Sequence, residues 1–229
     1  IVAPIFNEAD SIGPFLQRLI PVLDALEEPY EVLFVNDGSS DNSLERLIER
    51  QKTQPAVRII DLSRNFGKEA ALTAGLDHAR GRAIIPIDCD LQDPPETIPR
   101  LLAQWRSGAD VVHTVRTRRR GENPLKMFAT RVAYRIIKAS SQLQLPVEAG
   151  DFKLLSRDVV EQFVRLPESD PYTRGLVVWV GFNQTFVSYE RQPRHAGSTH
   201  FPFFSRGPWK AFILGLTSFS FVPVYAIGV

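Results

Sequence analysis

The sequence predicts an α/β protein in which helices cover both faces of an open, mainly parallel sheet. Short apolar runs alternate with amphipathic helical patterns through the first half of the 229 residues, and short connections join them. Polar clusters directly follow four of these apolar runs. Because ligands of such sheets bind beyond the carboxyl ends of the strands, the pattern predicts a binding site along one edge of the sheet.

The predicted strands and helices alternate strictly up to residue 115. Each strand is a short apolar run, and each helix repeats apolar residues at intervals of three or four. The strands are predicted at residues 1–6, 30–36, 57–62, 83–87 and 110–115. The helices are predicted at residues 7–26, 41–52, 67–79 and 95–106. This order is typical of parallel strands joined by crossover helices.

The second half of the chain has a less regular pattern. Strands are predicted at residues 150–155 and 182–189, with a helix at 157–166 between them. A long helix is predicted at residues 123–141, and a helical, membrane-facing segment from residue 202 to the end.

Composition narrows the class of protein. Hydrophobic residues make up 44% and charged residues 23%, as in globular proteins. The net charge of +1 argues against general nucleic-acid binding. The single cysteine, Cys89, cannot form an internal disulfide, which fits a reducing compartment.

The last nineteen residues, 211–229, contain no charge and approach the length needed to cross a bilayer. Membrane contact is therefore favoured over the alternative of a buried core helix. Arg206 and Lys210 precede this segment and would place the preceding domain on the cytoplasmic side of an inner or plasma membrane.

The most informative stretch is the apolar run at residues 84–87, which ends in Asp88, Asp90 and Gln92. Carboxylate and amide oxygens suit Mg²⁺ or Mn²⁺, which complete their coordination with water and substrate phosphates. A lone Asp-x-Asp pair is weak evidence, since a solvated turn has the same composition. Here Pro94 and Pro95 favour extended geometry before them, and an extended chain would project the three side chains to one side.

Glycine-rich phosphate loops are absent, because the sequence contains neither GxGxxG nor GxxxxGK[ST]. A nucleotide would therefore be held by side chains and a metal ion. Asp37 precedes a glycine at a strand end, where it is either a turn residue or a partner of a base or ribose. Asp151 follows Gly150 and is either an ordinary turn residue or a general base.

Basic residues cluster in two places. Arg116 begins a run of arginines after the fifth strand, and Arg131 lies on one face of the helix predicted next, beside an apolar face. Arg194 lies in a polar loop just before the apolar end. The alternatives are solvated surfaces or contacts with a lipid phosphate and an anionic membrane.

Five motifs in a fixed order resemble those of a known family. They are Pro4-Ile5-Phe6-Asn7-Glu8, Asn36-Asp37-Gly38-Ser39-Ser40-Asp41, Arg64-Asn65-Phe66-Gly67-Lys68, residues 88–96 and Gly150-Asp151-Phe152-Lys153-Leu154. Together they resemble family-2 glycosyltransferases with a GT-A fold, a Rossmann-like sheet. Within that family the chain is similar to the polyprenyl-phosphate sugar transferases, which include dolichol-phosphate mannose synthase and bacterial GtrB-type glucosyltransferases.

The resemblance implies a role for each matching residue. Pro4, Phe6, Glu8 and Asp37 would hold the nucleoside, and Lys68 would approach the diphosphate. Asp88, Asp90 and Gln92 would bind the donor through Mg²⁺ or Mn²⁺, with Asp90 and Asp151 as the catalytic pair. Whether Asp151 is a base or a group that orients the acceptor or a metal is open. Arg116, Arg131 and Arg194 would engage the lipid phosphate or the donor diphosphate.

The resemblance also implies the organisation of the chain. Residues 1–190 would form the catalytic domain, and residues 191–229 an acceptor loop, an interface helix and the start of a transmembrane region that continues past residue 229. Phe6 replaces the family's usual tyrosine, Cys89 its usual alanine, and His200 its usual lysine.

The implied activity is inverting transfer of a hexose, with UDP-glucose the favoured donor, to a polyprenyl phosphate at the cytoplasmic membrane face, within cell-envelope metabolism. The alternatives are a GDP-mannose-dependent synthase, a soluble family-2 transferase that modifies glycans, and a nucleotide-sensing module that has lost catalysis. The oligomeric state is open.

Overall fold

The computed structural model describes residues 1–117, 149–166 and 173–192. The strands are β1 (Val2–Ile5), β2 (Val32–Asn36), β3 (Val57–Asp61), β4 (Ala83–Ile84), β5 (Val111–Arg116), β6 (Ala149–Ser156) and β7 (Gln184–Tyr189). The helices are α1 (Ala9–Asp24), α2 (Ser43–Thr53), α3 (Lys68–His78), α4 (Ile98–Arg106), α5 (Arg157–Val164) and α6 (Thr173–Trp179). A short 3₁₀ turn, Pro95–Thr97, leads into α4.

The sheet is mainly parallel, as predicted. Strands β1, β2 and β3 are parallel neighbours, and β5 is parallel to β7. The backbone after β4 continues this arrangement, because Val2 N–H donates to Ile85 O at 2.9 Å and Ile87 N–H donates to Val2 O at 3.0 Å. Strand β6 is the exception, lying antiparallel between β4 and β5. It therefore joins the two parallel halves.

Apolar side chains fill both faces of the sheet. On one face Phe15 and Leu19 of α1 and Leu101 of α4 pack against Phe34 and its neighbours. On the other face α3, α5 and α6 pack against Leu33 and its neighbours. Because successive strand residues point to opposite faces, adjacent residues of β2 belong to different cores.

Within the described residues, the predicted elements correspond to observed ones, with two differences. The regular part of β4 is only two residues long, since its continuation pairs with β1 through isolated bonds. Helix α6 is not predicted by the sequence pattern. The segments predicted as helical at 123–141 and from 202 onward lie outside the described residues. Within the described ranges, no helix is long and apolar enough to span a bilayer.

Candidate active site

The loops after β1 and β2 are bonded to each other at the edge of the sheet. Asn7 Oδ1 accepts from Ser40 N–H at 2.8 Å, and Asn7 N–H donates to Ser39 Oγ at 3.0 Å. Glu8 directly precedes α1, and its backbone N–H donates to Ser43 Oγ at 3.0 Å. The Glu8 carboxylate accepts a hydrogen bond from the Ser11 hydroxyl. These contacts fix the half-buried surface that carries Pro4, Phe6 and Glu8.

Asp37 holds the loop that leads into α3. Its carboxylate accepts from Phe66 N–H at 2.7 Å and from Gly67 N–H at 2.9 Å. The loop lies so close that a Cβ on Gly38 would be 2.4 Å from the carbonyl carbon of Arg64. A carboxylate has about four acceptor positions, so Asp37 keeps capacity for a ligand while it shapes the loop.

Lys68 connects two acidic residues that are far apart in the sequence. Its ammonium donates to Asp88 Oδ2 at 2.7 Å and to Asp151 Oδ2 at 2.8 Å. Lys68 is the first residue of α3, Asp88 follows β4, and Asp151 lies on β6. The structure therefore brings together three residues that the sequence assigned to the donor and acceptor sides.

Arg174 is a functional candidate that sequence reasoning missed. Its Nε donates to Asp151 Oδ1 at 2.6 Å, and its Nη2 donates to Asp151 Oδ2 at 3.1 Å. The sequence signal is only an arginine near the start of α6, which nothing connects to an aspartate 23 positions earlier. The pairing depends on where α6 lies over β6.

The two cations decide the ionisation of Asp151. Burial by itself would raise the pKa of Asp151, but Arg174 and Lys68 outweigh burial and hold the pKa well below its usual range. Burial would likewise lower the pKa of Lys68, but Asp151 and Asp88 raise it instead. Asp151 is therefore a carboxylate at neutral pH. Its depressed pKa makes it a weak general base and a good group for orienting cations.

The loop after Asp88 is a turn, so the expectation of an extended chain there is wrong. Gln92 N–H donates to Asp90 Oδ1 at 3.0 Å, and Leu91 between them has φ of 61°. A short aspartate side chain that bonds the backbone two residues on stabilises a turn over an extended strand. Positive φ is costly for leucine, and such strain is concentrated at functional sites.

The residues of this loop fit a divalent metal ion that shares its ligands with a substrate. Asp88 and Asp90 offer hard carboxylate oxygens, and Mg²⁺ is typically held by one or two carboxylates with water and substrate phosphates. Among the described residues, no cluster of three or more metal-binding side chains forms a complete cage. Gln92, the third predicted ligand, is half-buried in the same turn.

Arg116 lies close to Gly150, the residue before Asp151. Its Nε donates to the Tyr189 hydroxyl at 3.2 Å, and a Cβ on Gly150 would be 3.1 Å from its Nη2. The Tyr189 hydroxyl donates in turn to Asp93. Strand β5 thus places Arg116 between Asp93, at the end of the loop that follows Asp88, and the residue before Asp151. The other two predicted arginines, Arg131 and Arg194, lie outside the described residues.

The family model for Glycosyl transferase family 2 matches residues 1–164. The chain belongs to glycosyl transferase family 2. It is therefore a glycosyltransferase, and the resemblance of its five motifs is confirmed.

Curated relatives support the same assignment. The chain is 46% identical to an uncharacterised glycosyltransferase of Bacillus subtilis (strain 168), over 98% of this chain and 69% of that protein. It is 40% identical to the bactoprenol glucosyl transferase of Shigella phage SfX, over 98% of this chain and 73% of that protein.

A solved structure shares the fold of this glycosyltransferase. The glucosyl-3-phosphoglycerate synthase of Mycobacterium tuberculosis, in complex with Mn²⁺, UDP and phosphoglyceric acid, superposes with a TM-score of 0.69. The match is 19% identical and covers 95% of this chain and 76% of that one. This match confirms the α/β, GT-A-like fold that the motifs predict.

Two further buried polar residues lie on the face of the sheet that carries Asp151. His113 of β5 is opposite Lys153 of β6 in the antiparallel pair. Burial lowers the pKa of Lys153 to about 8, against the opposing effect of Asp151. Burial, with Lys153 next, lowers the pKa of His113 to about 4. The face of the sheet that carries Asp151 therefore holds further buried titratable groups.

Proposed function

We propose that this transferase moves glucose from UDP-glucose to the phosphate of a polyprenyl phosphate, with inversion at the anomeric carbon. The observation that carries the proposal is the bridge of Lys68 between Asp88 and Asp151. The bridge supports the proposal because Lys68 and Asp88 are predicted to act on the donor diphosphate and Asp151 on the acceptor. The acceptor and the sugar follow from the similarity to a bactoprenol glucosyl transferase.

Donor binding would use the edge built by β1, β2 and the loop after β4. Pro4, Phe6 and Glu8 would line the nucleoside pocket, and Asp37 would shape its wall through the loop it holds. Lys68 would exchange part of its contact with Asp88 for an oxygen of the donor diphosphate. A cation placed there favours the charge that develops on the departing nucleoside diphosphate.

Asp88, Asp90 and Gln92 would hold Mg²⁺ or Mn²⁺ against the donor diphosphate. The bound ion would supply Lewis-acid stabilisation of the leaving group. The fold neighbour that contains Mn²⁺ and UDP supports a divalent ion of this kind.

The acceptor needs positioning more than deprotonation. A phosphate monoester is largely ionised at neutral pH, since its second pKa is about 6. Asp151 would therefore supply the negative charge that keeps Lys68 and Arg174 near the acceptor, consistent with its own depressed pKa. Arg116, with Arg131 and Arg194, would contact the lipid phosphate through guanidinium groups that match phosphate oxygens.

The bond changes are those of an in-line displacement. An acceptor phosphate oxygen forms a bond to the anomeric carbon while the bond from that carbon to the donor diphosphate breaks. The nucleoside diphosphate leaves with the electron pair, and an α-linked donor gives a β-linked product. No proton transfer is required when the acceptor is already ionised.

Sugar transfer itself tests the proposal. We expect radiolabelled UDP-glucose to label undecaprenyl phosphate with Mn²⁺ or Mg²⁺ present and not with EDTA. Asp90→Asn should lower turnover at least about 100-fold, because a preorganised charge at the diphosphate is removed. Asp77→Asn is the matched control, since Asp77 is exposed on α3.

Other outcomes distinguish the alternatives. Faster labelling from GDP-mannose would replace glucose with mannose. Equal rates with metal and with EDTA would overturn the metal role, and binding of UDP-glucose without turnover would favour a sensing module.

The acceptor also implies a location at the cytoplasmic face of the inner or plasma membrane. The proposal expects the chain to sediment with membranes and to be released by detergent. Recovery of full activity in the supernatant, on a water-soluble glycan, would instead favour the soluble transferase.

A further inference from the structure

The amino-terminal ends of α3 and α6 interlock around Asp151. Each helix contributes two consecutive residues, Lys68 and Glu69 from α3 and Thr173 and Arg174 from α6. Lys68 and Arg174 both donate to the Asp151 carboxylate. Glu69 accepts from the Thr173 hydroxyl and, at 3.3 Å, from the Thr173 backbone N–H. We refer to these four residues as the clasp.

The contact between Glu69 and Thr173 fixes the start of α6. Thr173 is 2% exposed, and the Glu69 carboxylate bonds both its side chain and its backbone. Arg174 is the next residue, so its backbone position depends on this contact. The side chain of Arg174 is 37% exposed, and its guanidinium reaches the Asp151 carboxylate through two donors.

The geometry favours a role in orientation over one in stability alone. A two-point contact between a guanidinium and a carboxylate sets an angle as well as a distance. Arg174 and Asp151 make two such bonds, at 2.6 Å and 3.1 Å. The clasp adds a third point through Lys68, which also contacts Asp88. Rotation of the Asp151 carboxylate would therefore disturb the donor and acceptor sides together.

We propose that Glu69 and Thr173 are positioning residues that set Arg174, and through it the Asp151 carboxylate, for the incoming acceptor phosphate. This inference rests on the proposed function of Asp151 at the acceptor site. Arg174 is then the residue that defines the direction of the carboxylate, and Glu69 and Thr173 act through it.

The kinetic test uses Thr173→Val, which keeps the shape of the side chain and removes the hydroxyl. We expect kcat to fall about tenfold or more, because small misplacements in an active site are costly, while KM for UDP-glucose changes less than about twofold. Thr173→Ser restores the hydroxyl and should restore kcat. Ser156→Ala is the matched control, since it also removes a buried hydroxyl contact, at the distant start of α5.

Arg174→Lys separates charge from geometry. Lysine keeps the positive charge and loses the two-point contact, so kcat should remain low in this variant. Wild-type kcat in both Arg174→Lys and Thr173→Val would overturn the inference. Equal losses in Ser156→Ala would do the same, since they would show a general loss of stability.

A second measurement does not depend on catalysis. ¹³C NMR of labelled aspartate carboxyls follows the titration of Asp151, which is assigned by loss of its signal in Asp151→Asn. Arg174→Ala should raise the pKa of Asp151 by about one unit or more, and Thr173→Val should raise it by less. An unchanged titration in both variants overturns the clasp. Absence of sugar transfer by the wild-type protein overturns the proposed function, and the titration still decides whether the clasp exists.

Discussion

His113 is a buried imidazole whose Nε2 bonds Gln184 at 2.9 Å and whose ring stacks on Phe186. In the described part of the chain, its Nδ1 has no hydrogen-bond partner. Burial, reinforced by Lys153, lowers the pKa of His113 from 6.5 to about 4. The native protein thus keeps this imidazole neutral where the unfolded chain would protonate it.

The sign of the resulting pH dependence follows from linkage. Between about pH 6.5 and pH 4 the unfolded state binds more protons, so stability falls as the pH falls through this window. The total loss is about 3 kcal/mol, with a slope of at most about 1.4 kcal/mol per pH unit. Urea unfolding at several pH values measures it.

Two variants make this test specific to His113. His113→Gln should abolish this part of the slope, because glutamine does not titrate. The exposed His78, replaced by glutamine, should leave the slope unchanged. An unaltered slope in His113→Gln would show that other groups cause the acid sensitivity.

Asp37 holds the loop that leads into α3, in addition to its predicted role in binding the nucleoside. The Asp37 carboxylate accepts from two backbone N–H groups, one with each oxygen. In Asp37→Asn an amide N–H₂ replaces one of these oxygens, so one of the two hydrogen bonds is lost. Leaving one of these partly buried donors unpaired costs about 1 kcal/mol of unfolding free energy, the lower end of the range for buried donors. Binding of UDP-glucose should weaken as well, since the displaced loop leads directly to Lys68. Calorimetric binding and urea unfolding check both effects, with Asp77→Asn as the exposed control.

The sequence predicted candidate site residues from their chemistry and their position in the chain. It did not predict which of these side chains contact each other. Asp88 was predicted from its place after an apolar run, and Asp151 from its position after Gly150 and from the family resemblance. The structure brings both to Lys68. Arg174 was missed because the distance along the chain gives no hint that an arginine will meet a carboxylate. Tertiary placement of a short helix decided that pairing.

Helix α3 carries Lys68 and Glu69, and it packs on the sheet through a glycine. A Cβ on Gly75 would lie 2.4 Å from Val2 Cγ1 and 3.0 Å from Val35 Cγ2. The contact is tighter than real side chains allow, so the helix must move or the valines must repack. Glycine is required here for close approach of helix and sheet.

Gly75→Ala should therefore destabilise the protein despite the better helix propensity of alanine. Overpacking costs about 1–3 kcal/mol, against a gain of about 1 kcal/mol from propensity. Urea unfolding measures the difference. Val2→Ala combined with Gly75→Ala should recover part of the loss, which a double-mutant cycle would report as favourable coupling. Additive losses would show that the contact with Val2 is not the cause.

Strands and helices could be predicted from the sequence where buried apolar residues set a regular pattern. Strands β1, β2, β3 and β5 match because apolar runs with turn residues on both sides leave few alternatives. Helix α6 was missed because its seven residues are too few to show a period. The turn at Asp90 was missed because a local side-chain bond replaced the extended backbone that the prolines favour.

The described part of the chain contains two half-sheets that meet at the segment after β4. One half is β1, β2 and β3, and the other contains β5, β6 and β7. Residues 85–87 bond to β1 while β4 bonds to β6, so Asp88 emerges at the junction. Opening of this junction would separate the donor side from the acceptor side, and Cys89 lies there.

Cys89 is the single cysteine of the chain and reports on that opening. It belongs to the loop that follows Asp88, and its side chain is buried in the core. Burial, with Glu8, Asp88 and Asp90, raises the pKa of its thiol. A buried, protonated thiol does not react, so labelling by a disulfide reagent requires the loop to open. We expect the native protein to react far more slowly than the same chain in urea.

Donor binding should slow this labelling further by mass action. A ligand that binds only the closed form at 100 times its Kd stabilises it by about 2.7 kcal/mol, which lowers the open population about 100-fold. UDP-glucose with Mn²⁺ should therefore slow the reaction of Cys89 by about that factor, and UDP-glucose with EDTA by much less. Equal protection without metal would mean that the donor closes the junction through Lys68 and the nucleoside pocket alone. Labelling at the rate of a free thiol would mean that the segment after β4 does not join the two half-sheets in solution.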